Sequence, residues 1–205
     1  MNTEYNADAT RRKILEIAAE EIHTHGFQTC KISQIIQKAG VSKGALYHHF
    51  SSKLEMGYAV IDEVLGPKMV AMWQPVMTSD NPIQDMISFF RQVLSGADCE
   101  CISKGCLLNN LAQEMSAEDE GFRLRINHLM VLWQQGIAGA LRRGQASGLV
   151  DGEINAERTA IFIIAAIEGA HGLAKNSQDV MHFAECLNGL IEYLKRLRAT
   201  SHLAT

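Results

Sequence analysis

A chain of 205 residues and 22.6 kDa, 47% hydrophobic and 20% charged, has room for one well-cored domain or a small module fused to a larger one, and this composition excludes a disordered chain. The net charge of −4 does not advertise a nucleic-acid partner, the longest apolar run (160–167) is far short of the roughly 20 residues of a membrane span, and the polar first 13 residues are unlike a signal peptide. Five cysteines, an odd number, read as thiols, so a soluble cytoplasmic protein without a membrane partner is expected.

The charge is uneven: residues 1–55 hold seven Lys/Arg against six Asp/Glu, residues 56–205 twelve against seventeen. Only three prolines occur, apolar residues recur at steps of three and four, and no alternating strand pattern is found, which predicts an all-α fold. A first helix is expected over Ala9–His25, with Ile14, Ile17, Ala18 and Ile22 on one face and Gly26 as its stop. A second runs from about Lys31 to Ala39, with Ile32, Ile35 and Ile36 inward and Gly40 as stop. After Val41, Ser42 is placed to cap a third over Lys43–Phe50. Two short helices joined by a glycine-containing turn, after a longer one, form a helix-turn-helix candidate.

Ser51-Ser52 cap a fourth helix starting near Lys53, which must break or bend at Gly66-Pro67. Asn81-Pro82 opens a helix through about Leu94. A loop over Ala97–Ser103 leads to a helix near Lys104–Met115, and Ser116, followed by Asp119, suggests the cap of a long helix reaching about Ala146. The SGLVDGE loop follows. Asn155 caps a helix over Ala156–Lys175, apolar almost all round at Ala160–Ile167 and so expected to be buried on several sides. The last helix is Gln178–Arg198, with Val180, Phe183, Leu187, Leu190, Leu194 and Leu197 at helical steps.

Residues 41–50, VSKGALYHHF, crowd a lysine, a tyrosine and two histidines behind a glycine. Neighbours on a helix point about 100° apart, so His48 and His49 are poorly placed to share a metal ion, and none is expected. A helix N-terminus suits phosphate instead, with Lys43 adding charge and Gly44 allowing close approach of another backbone. On a helical wheel Lys43, Gly44, Tyr47 and His48 share one side, while Leu46 and Phe50 turn to a core. That is what entry into a DNA major groove requires, and a solvated helix face is the plain alternative.

From Gly26 to Met56 the chain reads GFQTCKISQIIQKAGVSKGALYHHFSSKLEM, which resembles the DNA-binding domain of the tetracycline-repressor-type (TetR/AcrR) transcriptional regulators. The matching features are Gly26-Phe27, the Ile-Ile-x-x-Ala-Gly-Val run, and Ser-Lys-Gly-x-Leu-Tyr-x-His-Phe followed by Ser-Lys. The resemblance is specific over about residues 9–60 and architectural beyond. It implies an N-terminal three-helix DNA-binding domain with a helix-turn-helix (1–52) and a larger C-terminal helical ligand-binding and dimerisation domain (53–205). It further implies Lys43 and Gly44 near DNA at the start of the recognition helix beside Ser42 and Ala45, with Tyr47, His49 and Lys53 on phosphates, His48 at the variable position, and Ser33 and Gln34 at the groove edge. Where the family has a capping threonine this chain has Cys30, preceded by Thr29, so the start of the second helix is either capped one residue early or weak.

The function the resemblance implies is a DNA-binding regulator, a repressor released from a near-palindromic double-stranded operator by a small-molecule effector, with no cofactor and no catalysis. It also implies a homodimer through the last two helices, and an isolated chain would struggle to bury every face of Ala160–Ile167 together with the leucine row Leu187–Leu197. Candidate pocket residues are Met69, Trp73, Phe89, Phe90, Leu108, Met115, Leu129, Trp133 and His171, each also a plain core residue. The cluster Cys99, Cys101, Cys106 matches no zinc spacing. Cys106, near Lys104 and a helix start, is a candidate thiol or electrophile sensor, with buried structural cysteine as the alternative. A remote alternative is a helical enzyme using Glu168 and His171, three residues apart.

Overall fold

The computed structural model describes residues 2–96 and 102–199, with residues 2–6 as backbone. Its elements are α1 (Asn2–His25), α2 (Ile32–Ala39), α3 (Lys43–His49), α4 (Lys53–Ala59), a π-helical segment (Val60–Leu65), α5 (Gly66–Met77), α6 (Pro82–Ser95), α7 (Leu107–Met115), α8 (Glu120–Ala146), α9 (Ala156–Ser177) and α10 (Val180–Arg196). Among the described residues there is no strand beyond one isolated bridge, Val150 to Arg198, so the fold is all-α as expected.

Two compact units emerge, Met1–Met69 with Leu107–Leu129, and Val70–Cys106 with Met130–Thr205. In the first, Ile14, Leu15, Ala18 and Ile22 of α1 share a core with Ile35, Leu46, Phe50, Met56, Ile61 and Phe122. In the second, Trp73, Ile83, Met86, Phe90, Trp133, Ile137, Ile163, Phe183, Leu187 and Leu194 are buried. α10 packs along α9 and against α6.

Several local expectations need correction. α1 begins at Asn2 rather than Ala9, since no glycine or proline precedes Gly26 to stop it. Neither Thr29 nor Cys30 caps α2: Lys31 holds the cap position in extended backbone with no side-chain cap bond, and Cys30 is buried in the core. At Gly66-Pro67 the helix neither breaks nor stops. Proline lacks an N–H and its ring crowds the carbonyl four residues earlier, and the wider turns of Val60–Leu65 immediately before it keep the chain helical into α5.

α7 starts at Leu107, not Lys104, because Gly105 takes a positive φ of 75°. Asp119, not Ser116, caps α8, its Oδ1 accepting from the Phe122 N–H at 2.9 Å. Gln178 ends α9 in the left-handed region, and Asp179 caps α10 by accepting from the Met181 N–H. Of the expected loop 97–103, residues 97–101 lie outside the described residues, while Ile102 and Ser103 are helical.

The caps at Ser42, Ser52, Asn81 and Asn155 form as expected. The apolar stretch of α9 is not buried all round within the chain: Ala160 and Ile163 are covered, whereas Ile161 and Phe162 are 53% and 50% exposed. The leucine row Leu187–Leu197, by contrast, is buried inside the chain.

Candidate nucleic-acid interface

The recognition segment is built from its N-terminus. The Ser42 Oγ accepts from the Ala45 N–H at 3.1 Å, which starts α3 and satisfies one of its open donors. Leu46 and Phe50 are buried, so the helix is anchored by one face. The opposite face presents Ser42, Lys43, Gly44, Tyr47 and His48 to solvent, with Ala45 half-buried, while Ser33 and Gln34 of α2 are also exposed. Nothing lies within 4 Å of a Cβ built on Gly44 except the Ser42 Oγ, at 3.8 Å, so that face is open for close approach.

Lys43 leans over the Tyr47 ring, its Nζ 5.9 Å from the centroid, a cation–π contact one turn apart. His48 and His49 stand 5.5 Å apart in an edge geometry. His49 is half-buried, and burial, then the neighbouring charges of His48 and Arg11, lower its imidazole pKa. The neutral imidazole is therefore the favoured form. Lys53 donates to the Gln28 carbonyl at 3.0 Å and lies 4.9 Å over the Phe27 ring. One of its three N–H donors is used there, leaving two for other acceptors.

Sequence spacing missed the groups that hold this surface. Arg11 of α1 donates to the His49 carbonyl at the end of α3 and, through two nitrogens, to Glu63 of the π-helical segment. Glu114 of α7 accepts from the Phe27 and Gln28 N–H groups, at 2.8 Å each, closing the turn after α1. Tyr58 donates to Asp119 at 2.7 Å. That bond pushes the phenol pKa up and holds the carboxyl below its usual range. Glu21, buried in α1, pairs with Lys38 of α2 at 2.5 Å. These partners are separated by 17 to 87 residues, so no local pattern announces them.

The pocket candidates divide between the units. Met69, Leu108, Met115 and Leu129 are buried in the first. In the second, Trp73 meets Trp133, Phe89 and Phe90 at centroid distances of 5.0, 4.9 and 6.1 Å, and the two indole N–H groups are buried with no acceptor among the described residues. His171 packs on the Phe183 ring at 4.7 Å, and the Glu168 carboxyl is hydrogen-bonded by the Cys106 thiol. The Cys106 thiol is thus engaged by a buried carboxyl, which does not favour the sensing role expected of that cysteine. Cys99 and Cys101 lie outside the described residues.

Burial pushes the Glu168 carboxyl up to about 7, against an opposing Cys106 hydrogen bond. The protonated form is thus favoured in the folded state. The stability it contributes is full below the ordinary carboxylate pKa and is lost as pH rises through about 7. Glu168→Gln, which cannot ionise, should match wild type near pH 4 and exceed it by about 2 kcal/mol at pH 8.5 after discounting for solvent screening. Thermal unfolding across that range checks this, and a gap independent of pH would refute it.

Residues 14–59 match the model of bacterial regulatory proteins of the tetR family, and residues 82–190 that of the tetracyclin repressor-like C-terminal domain. An HTH-type transcriptional regulator in the lacX 3′ region of Lactococcus lactis is 30% identical over 182 residues, covering 86% of this chain and 88% of that protein. The transcriptional regulator AcuR of Cereibacter sphaeroides is 25% identical over 167 residues, covering 80% and 76%. In fold alone, the chain is similar to a TetR-family regulator from Cytophaga hutchinsonii (TM-score 0.84, 18% identity, 96% and 98% covered) and to reduced NemR of E. coli (0.80, 22%, 95% and 100%).

Proposed function

The chain belongs to the tetR family of bacterial transcriptional regulators, and from that premise we propose that it is a repressor releasing its operator when a small molecule binds its C-terminal helical domain. The observation that carries this reading is the exposed face of Ser42, Lys43, Gly44, Tyr47 and His48 on a helix anchored by Leu46 and Phe50. A polar, side-chain-poor helix start of this kind fits the major groove, with Tyr47, His49 and Lys53 on phosphates and Ser33 and Gln34 at the groove edge. Residues 1–52 act as the DNA-binding domain and 53–205 as the ligand-binding and dimerisation domain. Such regulators are generally not enzymes. Glu168 lies against Cys106 and His171 against the Phe183 ring, and the protein works in the cytoplasm; among the described residues no helix is long and apolar enough to cross a membrane.

The effector carries a hydrogen-bond acceptor, a reading supported by the two buried indole N–H groups of Trp73 and Trp133, which have no acceptor among the described residues. The second copy in a homodimer covers α9 and α10, where Phe162, Ala166, Gly169, Leu173, Gly189 and Tyr193 line an apolar groove of about 360 Å³. Two-fold symmetry then places half-sites about 34 to 36 Å apart, or a multiple of it.

A salt titration of binding to a DNA fragment from beside its own gene, with random-sequence competitor, tests the DNA reading. Wild type should be retained by that fragment specifically. Lys53→Ala should reduce the slope of log affinity against log salt by about one unit, with losses similar across sequences. Loss of affinity with an unchanged slope would remove that lysine from the phosphate contacts, and no specific retention by wild type would overturn the function.

A further inference from the structure

We propose that Arg11 is a positioning residue for DNA recognition, clamping the end of the recognition helix to the π-helical segment through Glu63 without touching DNA itself. The inference rests on the DNA-binding reading above. Arg11 is half-buried and makes four contacts that converge on one place. Its Nη1 donates to the His49 carbonyl at 3.0 Å, its Nε and Nη2 reach the two oxygens of Glu63 at 3.0 and 2.5 Å, and its guanidinium lies 4.5 Å over the Phe50 ring.

His49 is the last residue of α3, where carbonyls lack intrahelical donors. Arg11 supplies such a donor, and Phe50 beneath it is the core anchor of the same helix. The planar two-pronged match to a carboxylate leaves the guanidinium little freedom, so the His49 carbonyl is held from a fixed point.

The charge of Arg11 is answered by Glu63, and its surroundings are acidic. It lines a cleft of about 490 Å³ in which the carboxylates of Glu55, Asp62 and Glu63 face the guanidinium groups of Arg11 and Arg125. Glu63 stands next to Asp62, which pairs with Arg125 of α8 at 2.9 Å, while Arg125 lies 4.2 Å over the Tyr58 ring. The π-helical segment thus carries two neighbouring carboxylates, each held by an arginine of a different helix. One of those arginines also grips the recognition helix. A paired arginine in an acidic cleft is poorly suited to bind phosphate and well suited to fix geometry.

The test measures binding of a fluorescein-labelled duplex from beside its own gene, across a salt series, for wild type, Arg11→Ala, Arg11→Lys and Glu63→Ala. Positioning predicts that Arg11→Ala weakens binding ten-fold or more with the salt slope unchanged. Arg11→Lys, which keeps the charge but not the two-pronged geometry, recovers little. Glu63→Ala is the decisive variant, since it frees the arginine: positioning predicts weaker binding, whereas a phosphate contact predicts equal or tighter binding. If Arg11→Ala fails to fold, as judged by thermal unfolding, Glu63→Ala and Arg11→Lys decide alone. A slope reduced by about one unit in Arg11→Ala, or unchanged affinity in Glu63→Ala, overturns the proposal. Wild type failing to bind specifically would instead overturn the DNA-binding reading.

Discussion

Gly57→Ala should lower the thermal unfolding midpoint by about 4 to 8 °C, corresponding to about 2 kcal/mol for a chain of this length. Gly57 is buried in α4, and a Cβ there would sit 2.5 Å from Cε2 of Phe27 and 2.7 Å from Cζ of Phe122. Both rings are buried and packed on each other with centroids 4.6 Å apart, so neither can retreat without disturbing the other. Overpacking of this kind costs about 1 to 3 kcal/mol and exceeds the gain of at most about 1 kcal/mol from replacing a helical glycine. The damage should reach the surface proposed to meet DNA, because Phe27 lies in the turn closed by Glu114 and carries Lys53 on its face. A midpoint equal to or above wild type would mean that the rings have more room than their contacts allow.

The second large effect is expected at Phe162→Glu. Phe162 is half exposed on α9, in edge contact with Tyr193 of α10 at 4.8 Å, on the groove proposed to receive the second copy. A carboxylate there is exposed and harmless in a monomer but is desolvated without a partner in a dimer, at a cost of several kcal/mol. Dimer affinity should fall at least a hundred-fold, about 2.7 kcal/mol. Sedimentation at micromolar concentration should then find a 22.6 kDa monomer, and operator affinity should fall by a similar factor because only one half-site can be held. The same variant sedimenting as a dimer would move the interface elsewhere.

The helical course of the chain was legible because each cue is local. Ser42, Ser52, Asn81 and Asn155 reach N–H groups three residues on, and Gly26 and Gly40 have positive φ where a helix must stop. Errors arose where two local cues competed. Ser116 and Asp119 could both cap, and only the packing of Phe122 decides for Asp119. Pro67 predicts an interruption, but a π-helical segment absorbs it, and that alternative has no signature in composition.

The recognition face was likewise readable, since Leu46 and Phe50 against Lys43, Tyr47 and His48 is a matter of helical phase. What holds that face was not. Arg11 with Glu63, Glu114 with Phe27 and Gln28, and Tyr58 with Asp119 are pairs brought together by chain reversals of 52, 86 to 87 and 61 residues. Of the two apolar rows that one chain would struggle to bury together, Leu187–Leu197 is consumed inside the chain, while Ile161 and Phe162 are left exposed. Periodicity along one helix determines which residues share a face. Which face meets another element depends on where the rest of the chain returns, and that was decided only by the tertiary structure, because long-range packing and hydrogen bonding have no period in sequence.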